Sequence, residues 1–164
     1  MRRLHVLFVT ALATFALALA PSAVAANHSR TETIRVYHQA VLPTSVQGSG
    51  LGTVRTFFIP LAVEGQEVTD PYLVGTLTTV AQGLSGNREI RASNLTFVFG
   101  DEADQLVVGG ISYYPAEGAT LAPGTKTVRP VIGGSGRYDG ARGQVISTNL
   151  GANGWTHVFR IRLP

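Results

Sequence analysis

Apolar and polar residues alternate along most of the chain beyond residue 30. Such alternation is typical of half-buried β-strands, and no segment beyond the first 25 residues has the periodicity of an amphipathic helix. Turns rich in glycine, proline and asparagine separate eight strand-like runs. We predict strands at about 32–41, 52–60, 73–83, 90–99, 105–114, 125–132, 142–149 and 155–163.

This pattern predicts an all-β fold, an eight-stranded antiparallel closed β-barrel. An even number of antiparallel strands can close on itself and leave no exposed edge. The bore of a barrel of this size is either filled by side chains or holds one small ligand. Alternation places Ile34, Val36 and His38 on one face of the first strand, and His157 and Phe159 on one face of the last. If these strands pair, the two histidines are neighbours in the bore.

The first 25 residues have the organisation of a secretory signal peptide. Arg2 and Arg3 precede an apolar stretch at 4–20, and Ala23-Val24-Ala25 forms an A-x-A cleavage site. We therefore expect residues 1–25 to be removed on export and residues 26–164 to form one secreted domain. The apolar stretch is short for a bilayer span, so we expect no stable membrane insertion afterwards.

Charge excludes some partners. The formal net charge of +3 falls to +1 without Arg2 and Arg3, and the other basic residues are scattered. A nucleic-acid-binding protein would have a basic patch, so we predict no nucleic-acid partner. The chain contains no cysteine, so no disulfide stabilises it despite the predicted oxidising destination.

The most specific motif is the glycine-rich turn at 133–143, which reads GGSGRYDGARG. With the stretches at 93–101, 127–134 and 70–75, it resembles the β-barrels of allene oxide cyclases and dirigent proteins. The resemblance implies a calycin-like barrel that holds an apolar, oxygen-bearing small molecule, acts without a cofactor and associates as a homotrimer. It also implies a structural role for the turn residues, which are Gly133, Gly134, Gly136, Arg142 and Gly143.

The chain departs from both templates on the first strand. Allene oxide cyclases have an acidic residue after Val-Tyr, where this chain has His38 after Val36-Tyr37. Dirigent proteins have a His-Asp pair near this place, where this chain has His38-Gln39. These differences argue against oxylipin cyclisation by the plant mechanism. Asp70 matches the acid of the dirigent Asp-Pro motif near the barrel mouth.

These observations give the candidate site residues. Imidazole titrates near neutrality, so His38 and His157 could form an acid–base pair with Asp70 as a second proton donor. Candidate ligand-binding residues are Gln39, Arg55, Tyr72, Tyr113, Tyr114 and Trp155. Most of them have a structural alternative. The histidines could be hydrogen-bonded residues that line the bore, Asp70 a turn aspartate before proline, the tyrosines ordinary strand residues, and Arg55 part of an ion pair at a subunit interface. No Asp, Glu or Cys lies near either histidine at ligand spacing, so we predict no metal site.

Three functions remain open. The first is a cofactor-independent cyclase or isomerase, the second a dirigent-like or carrier protein without turnover. The third is a structural barrel packed shut by Phe97, Phe99, Trp155 and Phe159. A serine hydrolase is disfavoured, because Ser135 lacks the Gly-x-Ser-x-Gly spacing of a nucleophile elbow.

Overall fold

The computed structural model describes residues 29–164, which form one antiparallel sheet of eleven strands. The strands are β1 (Arg30–His38), β2 (Ser45–Gln47), β3 (Val54–Pro60), β4 (Ala62–Val63), β5 (Tyr72–Leu84), β6 (Arg88–Phe99), β7 (Asp101–Val108), β8 (Ile111–Pro115), β9 (Lys126–Ser135), β10 (Arg142–Asn149) and β11 (Trp155–Leu163). The helical elements among these residues are two single turns of 3-10 helix, at Gly136–Tyr138 and Gly151–Asn153. The predicted all-β class is confirmed. The proposed signal peptide lies outside the described residues.

The sheet curls into a half-barrel, so the predicted closed ring of eight strands is wrong. Its strand order is β2-β3-β5-β6-β7-β9-β10-β11-β1-β4, and β8 pairs with β6 off this path. The chain leaves the β3 ladder at Leu61, whose amide donates to the carbonyl of Pro71. Beyond it, β4 pairs with β1 through two residue pairs only. Among residues 29–164, no helix is long and apolar enough to cross a membrane.

Two adjacent glycines explain one of the extra strands. The run predicted at 105–114 is divided into β7 and β8 at Gly109-Gly110, where Gly110 has a φ of +93°. Both strands pair with β6, but of these two strands only β7 also pairs with β9. Pro130 lies opposite this division and has no amide hydrogen to donate to a neighbouring strand. The wall is therefore less continuous along β8 than along β7.

The two ends of the bore have different fillings. At one end aromatic side chains pack edge to face, with Phe97 and Phe159 ring centroids 4.8 Å apart. Phe99 packs against Tyr138 at 5.0 Å, and Tyr138 comes from the glycine-rich turn. The other end is lined by buried polar side chains, which are Arg55, Thr79, Glu89, Arg91, Ser93, Ser112, Thr127, Arg129, Ser147 and Asn149. The aromatic end forms the core, and the polar end is open.

The glycine-rich turn closes the aromatic end. Gly136 has a φ of +59° and Gly143 a φ of +154°, conformations that side chains with a Cβ rarely adopt. Gly133 and Gly134 extend β9 up to the turn, and Arg142 begins β10. The Arg142 guanidinium donates to the carbonyl of Ala141 at 2.7 Å. These positions place the five predicted turn residues at the aromatic end of the bore and away from the polar end.

Candidate functional site

A cavity of about 1010 Å³ lies at the polar end of the half-barrel. Its walls come from the bore, from the segment at 40–50 and from the loop at 117–123. Apolar surface is supplied by Phe57, Leu77, Leu121 and Trp155, and polar surface by Arg55, Glu89, Arg91, Tyr114 and Asn149. A largely apolar cavity with a few convergent polar groups is typical of a small-molecule site.

Glu89 is the centre of the buried polar groups. Arg91 Nε donates to Glu89 Oε1 at 2.5 Å, and the Thr79 hydroxyl donates to the same oxygen at 3.4 Å. Arg55 Nη1 donates to Thr79 at 3.0 Å, and Arg55 Nη2 lies 3.7 Å from Glu89 Oε1. Arg55 is 7% exposed, Glu89 1% and Arg91 3%. One buried carboxylate therefore serves two buried guanidinium groups.

A third buried guanidinium lies next to this pair without a carboxylate of its own. Arg129 donates to Ser93 Oγ at 2.7 Å, to Thr127 Oγ1 at 2.8 Å and to the Tyr114 hydroxyl at 2.9 Å. Its partners among the described residues are all neutral. The Arg91 Cζ atom lies 4.1 Å from the centroid of the Tyr114 ring, a cation–π contact. Tyr114 is thus held between two cations.

The arginines repel one another, and this is visible in the pKa of Arg55. Burial lowers that pKa first, the nearby Arg91 lowers it further, and Glu89 acts in the opposite direction. Guanidinium groups remain charged at neutral pH even so. The buried layer therefore carries more positive than negative charge.

The loop between β8 and β9 covers part of the cavity. Arg91 Nη2 donates to the carbonyl of Ala119 at 2.8 Å, and Asn149 Nδ2 donates to the carbonyl of Leu121 at 2.5 Å. The side chain of Leu121 is buried against the core. Arg91 therefore contributes both to the charge of the cavity and to the position of its cover.

The two predicted histidines are neighbours. Antiparallel pairing of β1 with β11 sets Val36 opposite His157, and the rings of His38 and His157 stack with centroids 5.2 Å apart. His38 Nδ1 donates to the carbonyl of Gln39 at 2.7 Å, and His157 Nδ1 lies 2.8 Å from Ser147 Oγ. His157 also stacks on Trp155, with centroids 6.5 Å apart. The pair lies behind Trp155, next to the cavity wall.

Burial lowers the pKa of His157 well below its usual value, and electrostatic coupling to His38 and to the Arg129 guanidinium lowers it further. Burial likewise lowers the pKa of His38, against a smaller opposing effect of its hydrogen bond to Gln39. The Nε2 atom of His157 is buried and has no hydrogen-bond partner among residues 29–164. Both rings are therefore neutral at pH 7, which disfavours an imidazolium acid at this place.

Acid is expected to destabilise the protein through His157. Because its pKa is lower in the folded state, the unfolded chain takes up the proton first as the pH falls below about 6.5. Each further pH unit then costs about 1.4 kcal/mol of unfolding free energy until the folded-state pKa is reached. Urea denaturation at pH 7.5 and 5.0 should show this loss, and His157→Gln should reduce it. An equal loss in the variant would contradict the assignment.

The structure brings some predicted site residues together and separates others. Arg55, Tyr114 and Trp155 line the cavity, and the two histidines lie behind Trp155. Asp70 is exposed at the opposite end of β5. Tyr72 and Thr79 are seven positions apart on that strand, about 23 Å at the usual rise. Asp70 therefore does not line the cavity.

The remaining predicted ligand-binding residues face outward. The Tyr72 ring packs against exposed Phe58 at 5.4 Å on the convex face. Tyr113 is 51% exposed and lies beneath Arg88. Gln39 follows the end of β1 with an exposed side chain, and only its carbonyl contacts His38. Of the two adjacent tyrosines, alternation turns Tyr114 inward and Tyr113 outward.

Three charged residues of the cavity region were missed by the sequence analysis, namely Glu89, Arg91 and Arg129. Alternation along β6 could have indicated two of them. Glu89 and Arg91 lie on the same face of that strand as Leu95, Phe97 and Phe99. Residues on one face of a strand share its environment. An inward Phe97 therefore implies an inward Arg91, however unusual a buried charge is.

Known structures share this fold. Pyocyanin demethylase superposes with a TM-score of 0.55 at 16% identity, over 80% of this chain and 99% of that one. The pterocarpan synthase dirigent protein GePTS1 gives 0.54 at 16% identity, over 92% and 97%. The pterocarpan synthase dirigent protein PsPTS1 gives 0.51 at 15%, over 83% and 94%. No family model and no curated protein matches the sequence. The predicted likeness to dirigent-type barrels is thus confirmed for the fold.

Proposed function

We propose that the protein binds an apolar, oxygen-bearing small molecule in the cavity at the polar end and directs its cyclisation or isomerisation without a cofactor. The supporting observation is the cavity of about 1010 Å³, in which Trp155 and Leu77 face a buried polar layer. A reactive molecule held in one conformation closes along one stereochemical path, so positioning supplies most of the effect.

The division of the bore argues against a barrel that is packed shut. Phe97, Phe99 and Phe159 fill the aromatic end, but Trp155 forms part of the cavity wall. The core thus stabilises the fold at one end and leaves the other end for a ligand.

Tyr114 is the proposed proton or hydrogen-bond donor. Its oxygen accepts from Arg129, and no residue of 29–164 accepts its hydrogen, which can therefore be donated to a ligand oxygen. Arg91 above the ring and Arg129 at the hydroxyl both favour negative charge on that ligand oxygen. A cyclisation or isomerisation that passes through an enolate-like or phenolate-like state would be stabilised here.

The chain offers a matched pair of variants for this role. Tyr114→Phe keeps the aromatic ring beneath Arg91 and removes only the hydroxyl. Tyr113→Phe makes the same change on the convex face. Benzylacetone, a neutral aryl ketone, is the probe. Emission of Trp155, the one tryptophan of the chain, reports binding. We expect Tyr114→Phe to raise the Kd about threefold to tenfold, the worth of one neutral hydrogen bond, and Tyr113→Phe to leave it unchanged.

Native mass spectrometry of the purified protein tests the proposed function directly. A co-purified small molecule that is released and converted on incubation supports an enzyme, and one that is released unchanged supports a carrier. Absence of any bound molecule, together with no response of Trp155 to benzylacetone, would contradict both.

We also propose export through the signal peptide at 1–25, so that the secreted domain comprises 26–164. Intact mass of the protein recovered from culture medium tests this directly. Homotrimer formation is a further proposal, consistent with large apolar side chains exposed on the convex face at Phe58 and Ile132. Light scattering with size-exclusion chromatography measures it.

A further inference from the structure

The charges around the cavity do not balance. Arg55, Arg91 and Arg129 are all buried, and Glu89 is the one carboxylate within 4 Å of any of them among the described residues. Glu117 also lines the cavity, but its side chain is exposed, so water screens its charge. Around Glu89 itself the excess is one positive charge, since two guanidinium groups share one carboxylate.

The two guanidinium groups next to Glu89 also have unused donors. Arg55 Nε and Arg91 Nη1 donate to no other group among residues 29–164. In the same residues, two side-chain polar atoms are both fully buried and without a hydrogen-bond partner, namely Tyr138 OH and His157 Nε2. The two arginine nitrogens are not among them. These nitrogens are therefore accessible from the cavity. By contrast, the three guanidinium nitrogens of Arg129 are all engaged by hydroxyl oxygens.

We infer that the ligand is a carboxylic acid whose carboxylate binds between Arg55 and Arg91 while its apolar body lies against Leu77 and Trp155. This inference rests on the proposed function of the cavity. A guanidinium fork matches the planar carboxylate, and burial strengthens the charged hydrogen bonds. One added negative charge cancels the local excess, which favours a monoanion over a phosphate dianion.

The test compares phenylbutanoate with phenylbutanamide, which differ only in the charged group. Binding is followed at pH 7.5 by Trp155 emission and by calorimetry. We expect the acid to bind at least about tenfold more tightly than the amide, as expected for hydrogen bonds between two charged groups. Phenylbutyl phosphate is the third probe, and we expect it to bind more weakly than phenylbutanoate.

Variants of Arg55 locate the site. Arg55→Met should reduce the acid-to-amide preference to about one, and Glu89 keeps Arg91 as its partner in this variant. Arg55→Lys keeps the charge without the fork and should leave an intermediate preference. Arg35→Met removes an exposed arginine of β1 that does not line the cavity, and it should leave the preference unchanged.

The outcomes separate the two proposals. Equal binding of acid and amide by the wild-type protein would overturn the carboxylate site and leave the small-molecule function standing. Tighter binding of the phosphate would also overturn it. No binding of any probe, including benzylacetone, would overturn the proposed function and this inference together. If Arg55→Met fails to fold, the acid-to-amide preference of the wild-type protein and that of Arg55→Lys still test the carboxylate site.

Discussion

Replacing Glu89 by glutamine is expected to destabilise the protein by about 3–5 kcal/mol, the usual cost of leaving buried charge without its partner. The substitution keeps the size of the side chain but leaves Arg55 and Arg91 buried beside each other without a counter-charge. Urea denaturation at pH 7.5, followed by Trp155 emission, measures the free energy of unfolding.

Glu64→Gln is the matched control. Glu64 also pairs with an arginine, at 3.6 Å from Arg35, but both side chains are more than half exposed. Surface pairs of this kind contribute about 0–1 kcal/mol. Similar losses in the two variants would contradict the view that Glu89 holds the buried cations together. Partial recovery of Glu89→Gln by phenylbutanoate would further support an anion site at the same arginines.

The fold was largely predictable because strand alternation is a local property of the sequence. The runs that became β1, β5, β6, β10 and β11 follow it closely, and the expected pairing of the first strand with the last is found. Closure of the barrel was not predictable in the same way. It depends on where the chain leaves a ladder, here at Leu61, and neither alternation nor turn residues mark that place.

The candidate site was predictable only in part, for two physical reasons. His38 and His157 were placed in the bore because alternation fixes which way a strand residue points, and the same rule implied that one of Tyr113 and Tyr114 faces inward. Arg55 was singled out differently, as a charge that interrupts an otherwise apolar strand. Asp70 was transferred from a motif in a connecting loop, and loop position relative to a bore depends on tertiary structure. Buried charges such as Arg91 were overlooked because burial of an arginine is rare unless it is paired.

The separation of an aromatic end from a polar end explains how a small domain without disulfides combines stability with a cavity that contains buried charges. The aromatic cluster around Phe97 and Phe159 supplies apolar burial at one end. The cations at the other end cost stability, which Glu89 and the hydroxyl groups around Arg129 offset. Substitutions at the aromatic end should therefore change the free energy of unfolding more than ligand affinity. Substitutions of Arg55 should change ligand affinity more than the free energy of unfolding.

The glycine-rich turn carries the second large expected effect, in Gly134→Ala. A Cβ at Gly134 would overlap the carbonyl oxygen of Tyr138 and lie 2.7 Å from that of Gln105. Both are backbone atoms, so relief requires moving the turn that seats Tyr138 against Phe99. We expect a loss of about 3 kcal/mol or more, because backbone displacement adds to ordinary overpacking.

Gly133→Ala is the control that isolates this cause, since it makes the same change one residue earlier on β9. A Cβ at Gly133 would meet nothing closer than Arg142 Nη1 at 3.8 Å, an ordinary contact with a flexible side chain. We expect a change within about 1 kcal/mol there. Thermal unfolding should then lower the Tm of Gly134→Ala by about 10 °C or more and leave Gly133→Ala near wild type. Equal shifts would mean that chain flexibility, and not the space beside Tyr138, requires glycine at this turn.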